Sequence, residues 1–135
     1  MTSRPTTFLR YALLTDAATS GATGILLVLG AGPLSALLLL PEPLLRWAGA
    51  ILVPFAILVG LAGRSAAPSR PAVVAIILAN ALWVVDSFAL LAAGWVAPNG
   101  LGTAFVVAQA VAVGALAAAQ AIGLRGTGRS ELAPA

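Results

Sequence analysis

The stretch "PAVVAIILANALWVVDSFALLAA", residues 71–93, holds a single carboxylate, Asp86, in a run that is otherwise apolar enough to cross a bilayer. A membrane helix needs about 20 predominantly apolar residues, because each adds about 1.5 Å and the hydrocarbon core is about 30 Å thick. A charged side chain at the bilayer centre costs about 2.5–3.5 kcal/mol on the insertion scale. Against that cost stand eleven Leu, Ile, Val and Phe residues in the same stretch, each contributing about 0.3–0.6 kcal/mol and together roughly 5 kcal/mol. The segment therefore inserts despite its aspartate, and residues 71–93 read as a transmembrane helix.

Three more segments meet the same criterion, at about residues 10–30, 44–63 and 101–123. Between the first two lies "AGPLSALLLLPEP" (31–43), bounded by prolines and too short to span. Residues 33–40 are expected to form a short interfacial helix, or to continue the first helix with a bend at Gly32 and Pro33. The connectors "GRSAAPSRP" (63–71) and "GWVAPNGLG" (94–102) are short and rich in helix breakers, which favours antiparallel packing of sequential helices. In the second connector "APNG" reads as a turn, with Asn99 and Gly100 suited to positive φ. Pro54 reads as a kink in the second helix. The expected architecture is all-α: a four-transmembrane-helix antiparallel bundle, forming one integral membrane domain over residues 1–135.

Topology follows from the arginines. Arg4, Arg10, Arg64, Arg70, Arg125 and Arg129 all fall on one side of this layout, and only Arg46 falls on the other, with Glu42 nearby. By the positive-inside rule both termini are cytoplasmic. Trp47 and Trp95 then lie near the outer ends of the second and third helices, and Tyr11 near the inner end of the first. Asp16, Thr19 and Ser20 interrupt the first apolar run, so it reads as a retained helix and not a cleaved signal peptide.

Of the whole chain, 61% is hydrophobic and only 8% charged, with a mean hydropathy of +1.06. The absent residues exclude more chemistry than any motif supports. Without histidine or cysteine there is no imidazole or thiolate ligand for haem, copper, zinc or an iron–sulfur cluster. Without lysine there is no Schiff base to retinal or pyridoxal phosphate. No covalently attached or His/Cys-ligated cofactor is expected, no metal site, and no nucleic-acid partner, since the arginines form no basic stripe. The glycine runs follow neither the phosphate-loop nor the dinucleotide pattern.

The informative residues are the polar ones inside the spans. At 100° per residue Asp86 shares a face with Ala75, Ala79, Trp83, Ala89 and Ala93, with Asn80 and Ser87 on its flank. Small residues mark close helix approach in membranes, so Asp86 is expected to face protein or a cavity. Helical rise puts Gln109 at the same depth. The expected intramembrane cluster is Asp86, Asn80, Trp83 and Gln109. On the fourth helix Gln109 and Gln120 lie on one face, beside a small-residue ridge of Ala110, Gly114 and Ala118. On the first helix Asp16, Thr19, Ser20 and Thr23 form a second polar face toward the cytoplasmic side. A hydrogen-bonded structural carboxyl and a proton-handling one look alike at this level.

The stretches "RYALLTDAATSGATG" (10–24), "LLRWAGAILVPFAILVG" (44–60) and "NALWVVDSFALLAAGWVAPNGLGTAFVVAQA" (80–110) resemble those of a group of small four-helix bacterial integral membrane proteins. The resemblance covers about residues 9–124 and implies the four-helix fold and the bacterial inner membrane. It brings no catalytic residues. In size and layout the chain is also distantly similar to DoxX-like four-helix proteins. The expected function is that of a non-enzymatic accessory or assembly subunit, docking by its small-residue faces against a membrane-protein partner or a second copy of itself. The alternative is a small oligomeric transporter or channel, proton-coupled in one form, that uses Asp86 and Asp16.

Overall fold

The computed structural model describes residues 7–132, with side chains described as far as Thr127. Arg4 and the side chain of Arg129, two of the arginines assigned to the cytoplasmic side, lie outside the described residues. Four helices follow in order: α1 (Thr7–Leu38), α2 (Glu42–Arg64), α3 (Arg70–Ala92) and α4 (Gly100–Leu132). Each is long and apolar enough to cross a membrane, and no strand occurs among the described residues. Large apolar side chains such as Leu29, Leu58, Leu82 and Ile122 point outward, an arrangement suited to a lipid surround and costly in water.

The segment 33–38 is the last part of α1, which runs through Pro33 without a break. Of the two expectations for this region the continuous helix is the one observed. Leu39 then takes φ 54° and closes the helix, with its N–H donating to the Ser35 carbonyl at 2.9 Å. The expected positive-φ turn at Asn99 and Gly100 is not formed: among the described residues only Leu39 and Gly94 have positive φ. Asn99 instead starts α4, its Oδ1 accepting from the Gly102 N–H at 2.8 Å, while its Nδ2 donates to the Leu37 carbonyl at 2.8 Å. One side chain therefore satisfies an orphan donor of α4 and an orphan acceptor of α1, as helix ends require. Ser69 caps α3 through a bond from the Ala72 N–H at 3.2 Å. Arg10 of α1 closes the C-terminus of α2, donating to the Gly63 and Arg64 carbonyls at 3.2 and 3.4 Å. That places a cation at the negative end of a helix dipole.

Sequential helices are antiparallel, and the packing is uneven. α1 packs most extensively on α2, α3 on α4 and α1 on α4 follow, and α2 touches α3 only slightly. Glycines set the close approaches of α1. A Cβ added at Gly49 of α2 would sit 2.6 Å from the Gly24 carbonyl oxygen and 2.8 Å from the Val28 backbone nitrogen of α1. One at Gly123 of α4 would sit 2.8 Å from the Leu9 Cα. Backbone thus meets backbone on both sides of α1, the close approach that small residues permit between membrane helices. The stripe that α1 buries, Leu9, Leu13, Asp16, Ser20, Gly24, Leu27 and Ala31, advances in steps of three and four, the period of a helix seam.

Two apolar clusters fill the interior. At the arginine-rich end Leu9, Leu13, Val59, Val73, Ile76 and Leu124 pack together; at the opposite end, which holds Trp47 and Trp95, the core is Leu27, Ala31, Leu38, Leu40, Leu45, Leu52 and Val106. Gly49→Ala is expected to lower the melting temperature in detergent, at a cost of about 1–3 kcal/mol from overpacking. At Gly114 an added Cβ meets only Val84 Cγ2 at 3.8 Å, so Gly114→Ala is expected to leave stability unchanged or raise it by up to about 1 kcal/mol. Equal losses in both variants would remove the packing account of the seam.

Candidate functional site

The polar side chains inside the spans fall into two separate clusters and one crevice. The first cluster is built on the buried stripe of α1, where Asp16 is 0% exposed. Its Oδ1 accepts from Ser20 Oγ at 2.9 Å, and its Oδ2 accepts from Asn80 Nδ2 of α3 and Gln120 Nε2 of α4, both at 2.7 Å. Asn80 also donates to Gln120 Oε1 at 3.1 Å. Gln120 is 0% and Asn80 3% exposed. Every donor to the carboxyl is neutral, and the cluster joins three helices. With no water in a bilayer core, such groups must satisfy one another, and no buried side-chain nitrogen or oxygen among the described residues lacks a partner.

The second cluster holds α3 to α4 nearer the tryptophan end. Trp83 Nε1 donates to Gln109 Oε1 at 2.7 Å, and Gln109 Nε2 donates to Ser87 Oγ at 3.1 Å and to the Val106 carbonyl at 2.8 Å. Ser87 in turn donates to the Trp83 carbonyl at 2.7 Å. The indole is thereby fixed at its polar edge, and it packs against the apolar core of this end.

The crevice is a cavity of about 330 Å³ at the tryptophan end, where α2 and α3 are not packed together. It is walled by Thr23 and Leu27 of α1, by Leu44, Leu45, Trp47, Ala48 and Ile51 of α2, by Trp83, Asp86, Ser87 and Leu90 of α3, and by Phe105, Val106 and Gln109 of α4. Trp95, from the α3–α4 connection, completes it. The chain has three tryptophans, and all of them, Trp47, Trp83 and Trp95, line this one crevice. Asp86 is exposed into it. Of the other carboxylates with described side chains, Asp16 is hydrogen-bonded and Glu42 pairs with Arg46 at 2.9 Å. Asp86 alone has neither a hydrogen-bond nor an ion-pair partner.

The geometry redistributes the residues singled out from the sequence. Asp86, Trp83 and Gln109 do line one cavity, but Gln109 is bonded by Trp83 and Ser87, and the expected meeting of Asp86 with Gln109 is not formed. Asn80 belongs with Asp16 instead. The expected packing face of α3 is corrected as well: Ala75, Ala79 and Ala93 are exposed, whereas Val73, Ile76, Asn80 and Ser87 are buried. On α1 the four polar residues have three different fates. Asp16 and Ser20 are in the buried cluster, Thr23 is in the crevice, and Thr19 bonds back to the Thr15 and Asp16 carbonyls at 2.9 and 3.2 Å. Such back-bonding satisfies a hydroxyl within its own helix.

Gln120 is the member of the buried cluster that the sequence named but assigned to no cluster. Its signal was its register with Gln109 on one face of α4. Asp16 and Asp86 occupy separate places, so the arrangement offers no carboxylate pair for general acid–base work. No group of three His, Cys, Asp or Glu side chains that could hold a metal occurs among the described residues. No protein-family model, curated protein or solved structure matches the chain.

The Asp16 cluster is expected to depend on hydrogen-bond count and not on charge. Asp16→Asn can present its oxygen to Asn80 and Gln120 and its amide to Ser20, and should melt close to the parent protein. Asp16→Ala strands the Gln120 amide and should cost about 1–3 kcal/mol. Thermal unfolding in detergent checks both, and a large loss in Asp16→Asn would show that the charge itself is needed.

Proposed function

We propose that this chain is a non-enzymatic multi-pass membrane protein that binds a small, membrane-partitioned molecule in the crevice between α2 and α3, as a carrier does. The observation that supports this reading is convergence: all three tryptophans and the one carboxylate without a partner among the described residues line the same crevice. Ligand sites are typically concave, mostly apolar and supplied with few polar groups, and an ionisable side chain inside a membrane span is a functional candidate by default. In this reading Asp86 is the polar contact. Asp16, fully buried and already satisfied, is a structural clasp and not the mouth of a pathway. A continuous channel fits less well, because the apolar cluster around Leu13, Val59 and Val73 fills the arginine-rich half of the bundle. We also place both termini on the cytoplasmic side of a bacterial inner membrane, a placement supported by the gathering of Arg10, Arg64 and Arg70 at one end.

The exposed Ala75 and Ala79 of α3 favour a second reading, in which a partner helix covers α3 and the protein is an assembly subunit. Native mass spectrometry of protein released gently from membranes separates the two. The crevice reading expects a small-molecule adduct on the parent protein that is lost in Leu90→Trp, which fills the cavity. A bare chain that leaves the membrane only with a stoichiometric polypeptide partner would overturn it in favour of assembly.

A further inference from the structure

We infer that the crevice selects a compact lipophilic monocation, an organic ammonium or its equivalent, held by the Asp86 carboxylate and the tryptophan faces. This inference rests on the crevice reading above and names the class of molecule it takes.

Charge is the first argument. Asp86 is the only ionisable group in the lining, and no side chain among the described residues pairs with it. Arg46, on the adjoining surface beside Trp47, is engaged with Glu42 at 2.9 Å. An anionic or zwitterionic guest would bring a phosphate or carboxylate into a wall that offers it no positive partner. A monocation meets the opposite situation, since a low-dielectric surround strengthens its attraction to a carboxylate.

The aromatic composition points the same way. The negative face of an indole attracts a cation, tryptophan best of the aromatic side chains. Trp83 is bonded to Gln109 at 2.7 Å, while Trp47 and Trp95 are 70% and 73% exposed. One hydrogen-bonded indole and two exposed ones suit a guest that is gripped by its faces and not by directional bonds. Size narrows the class further. The volume of about 330 Å³ lies at the small end of ligand sites, roughly 300–1,000 Å³, which suits a compact guest. The apolar walls require the charge to sit on an oily body.

The test uses the full chain in nanodiscs of zwitterionic lipid with three probes of one shape: adamantyltrimethylammonium, its neutral carbon isostere and adamantane carboxylate. Tryptophan emission is the readout, because every tryptophan lines the crevice, and empty nanodiscs correct for partitioning. The cation should shift the emission saturably and the other two should not. Asp86→Asn should weaken the cation by about tenfold or more, and Trp47→Leu by a smaller factor. Both residues are exposed and outside the two polar clusters, and unchanged melting temperatures will show that the variants fold. Equal binding of all three probes, insensitive to Asp86→Asn, would overturn the charge selection while leaving the crevice as an apolar binding site. Binding by none of them would also overturn the inference. In that case a surviving small-molecule adduct in native mass spectrometry keeps the crevice reading, and its absence removes both.

Discussion

The backbone contacts of α1 with its two neighbours govern the rest of the bundle. Apolar side chains gain little by leaving lipid for protein, so membrane helices are held by close van der Waals packing and by hydrogen bonds. α1 has close packing on both sides, at Gly24 against Gly49 and at Leu9 against Gly123. Those two contacts use up the faces from which its backbone could approach a third helix closely, and it reaches α3 through side chains, the Asn80 amide bonded to Asp16 and the apolar cluster that joins Leu9 and Leu13 to Val73 and Ile76. Consequently α2 is carried by α1 and α3 by α4. The fourth edge of the bundle, between α2 and α3, has no glycine seam to draw it shut. Its helices meet at the end where the short 65–69 connection joins them, around Val59, Val73 and Ile76, and the opposite end stays open.

Hydrogen bonds then decide how α3 is turned. Asn80 and Ser87 are seven residues apart, two helical turns, and both engage partners on other helices. Val73 and Ile76 continue the same stripe. With that stripe locked inward, Asp86 falls about 100° away from Ser87, onto the side that faces the open edge. The two polar clusters therefore do more than satisfy their own members, because by fixing the rotation of α3 they place a carboxylate in the crevice and keep it out of the core.

The spans, their order and the short connectors were legible in the sequence because length and hydropathy state them directly. What the sequence concealed was which face of each helix is inward. A helix that is apolar all round has no lipid face that hydrophobicity can mark, and alanines occur everywhere in this chain. The alanine face of α3 therefore looked like a packing surface, whereas Asn80, Trp83 and Ser87 carried the true stripe at intervals of three and four. Equal depth suggested that Asp86 and Gln109 meet; depth says nothing of azimuth, and the rotation set by Ser87 gives Gln109 to Trp83. The crevice was hidden for another reason. Trp47 and Trp95 fit the familiar role of interfacial anchors, and only the separation of α2 from α3 brings them to a common cavity with Trp83.

The two aspartates of the spans show how the same side chain can serve the fold in one place and not in another. Asp16 accepts three hydrogen bonds from three different residues, and taking it away leaves a buried donor stranded, so the structure by itself accounts for its presence. Asp86 accepts none. The apolar residues of α3 offset its insertion cost with energy to spare, so the helix tolerates the carboxylate without needing it, and no neighbour loses a partner if it is replaced. On the proposed reading the role of Asp86 lies outside the folded chain, in a molecule that enters the crevice beside it.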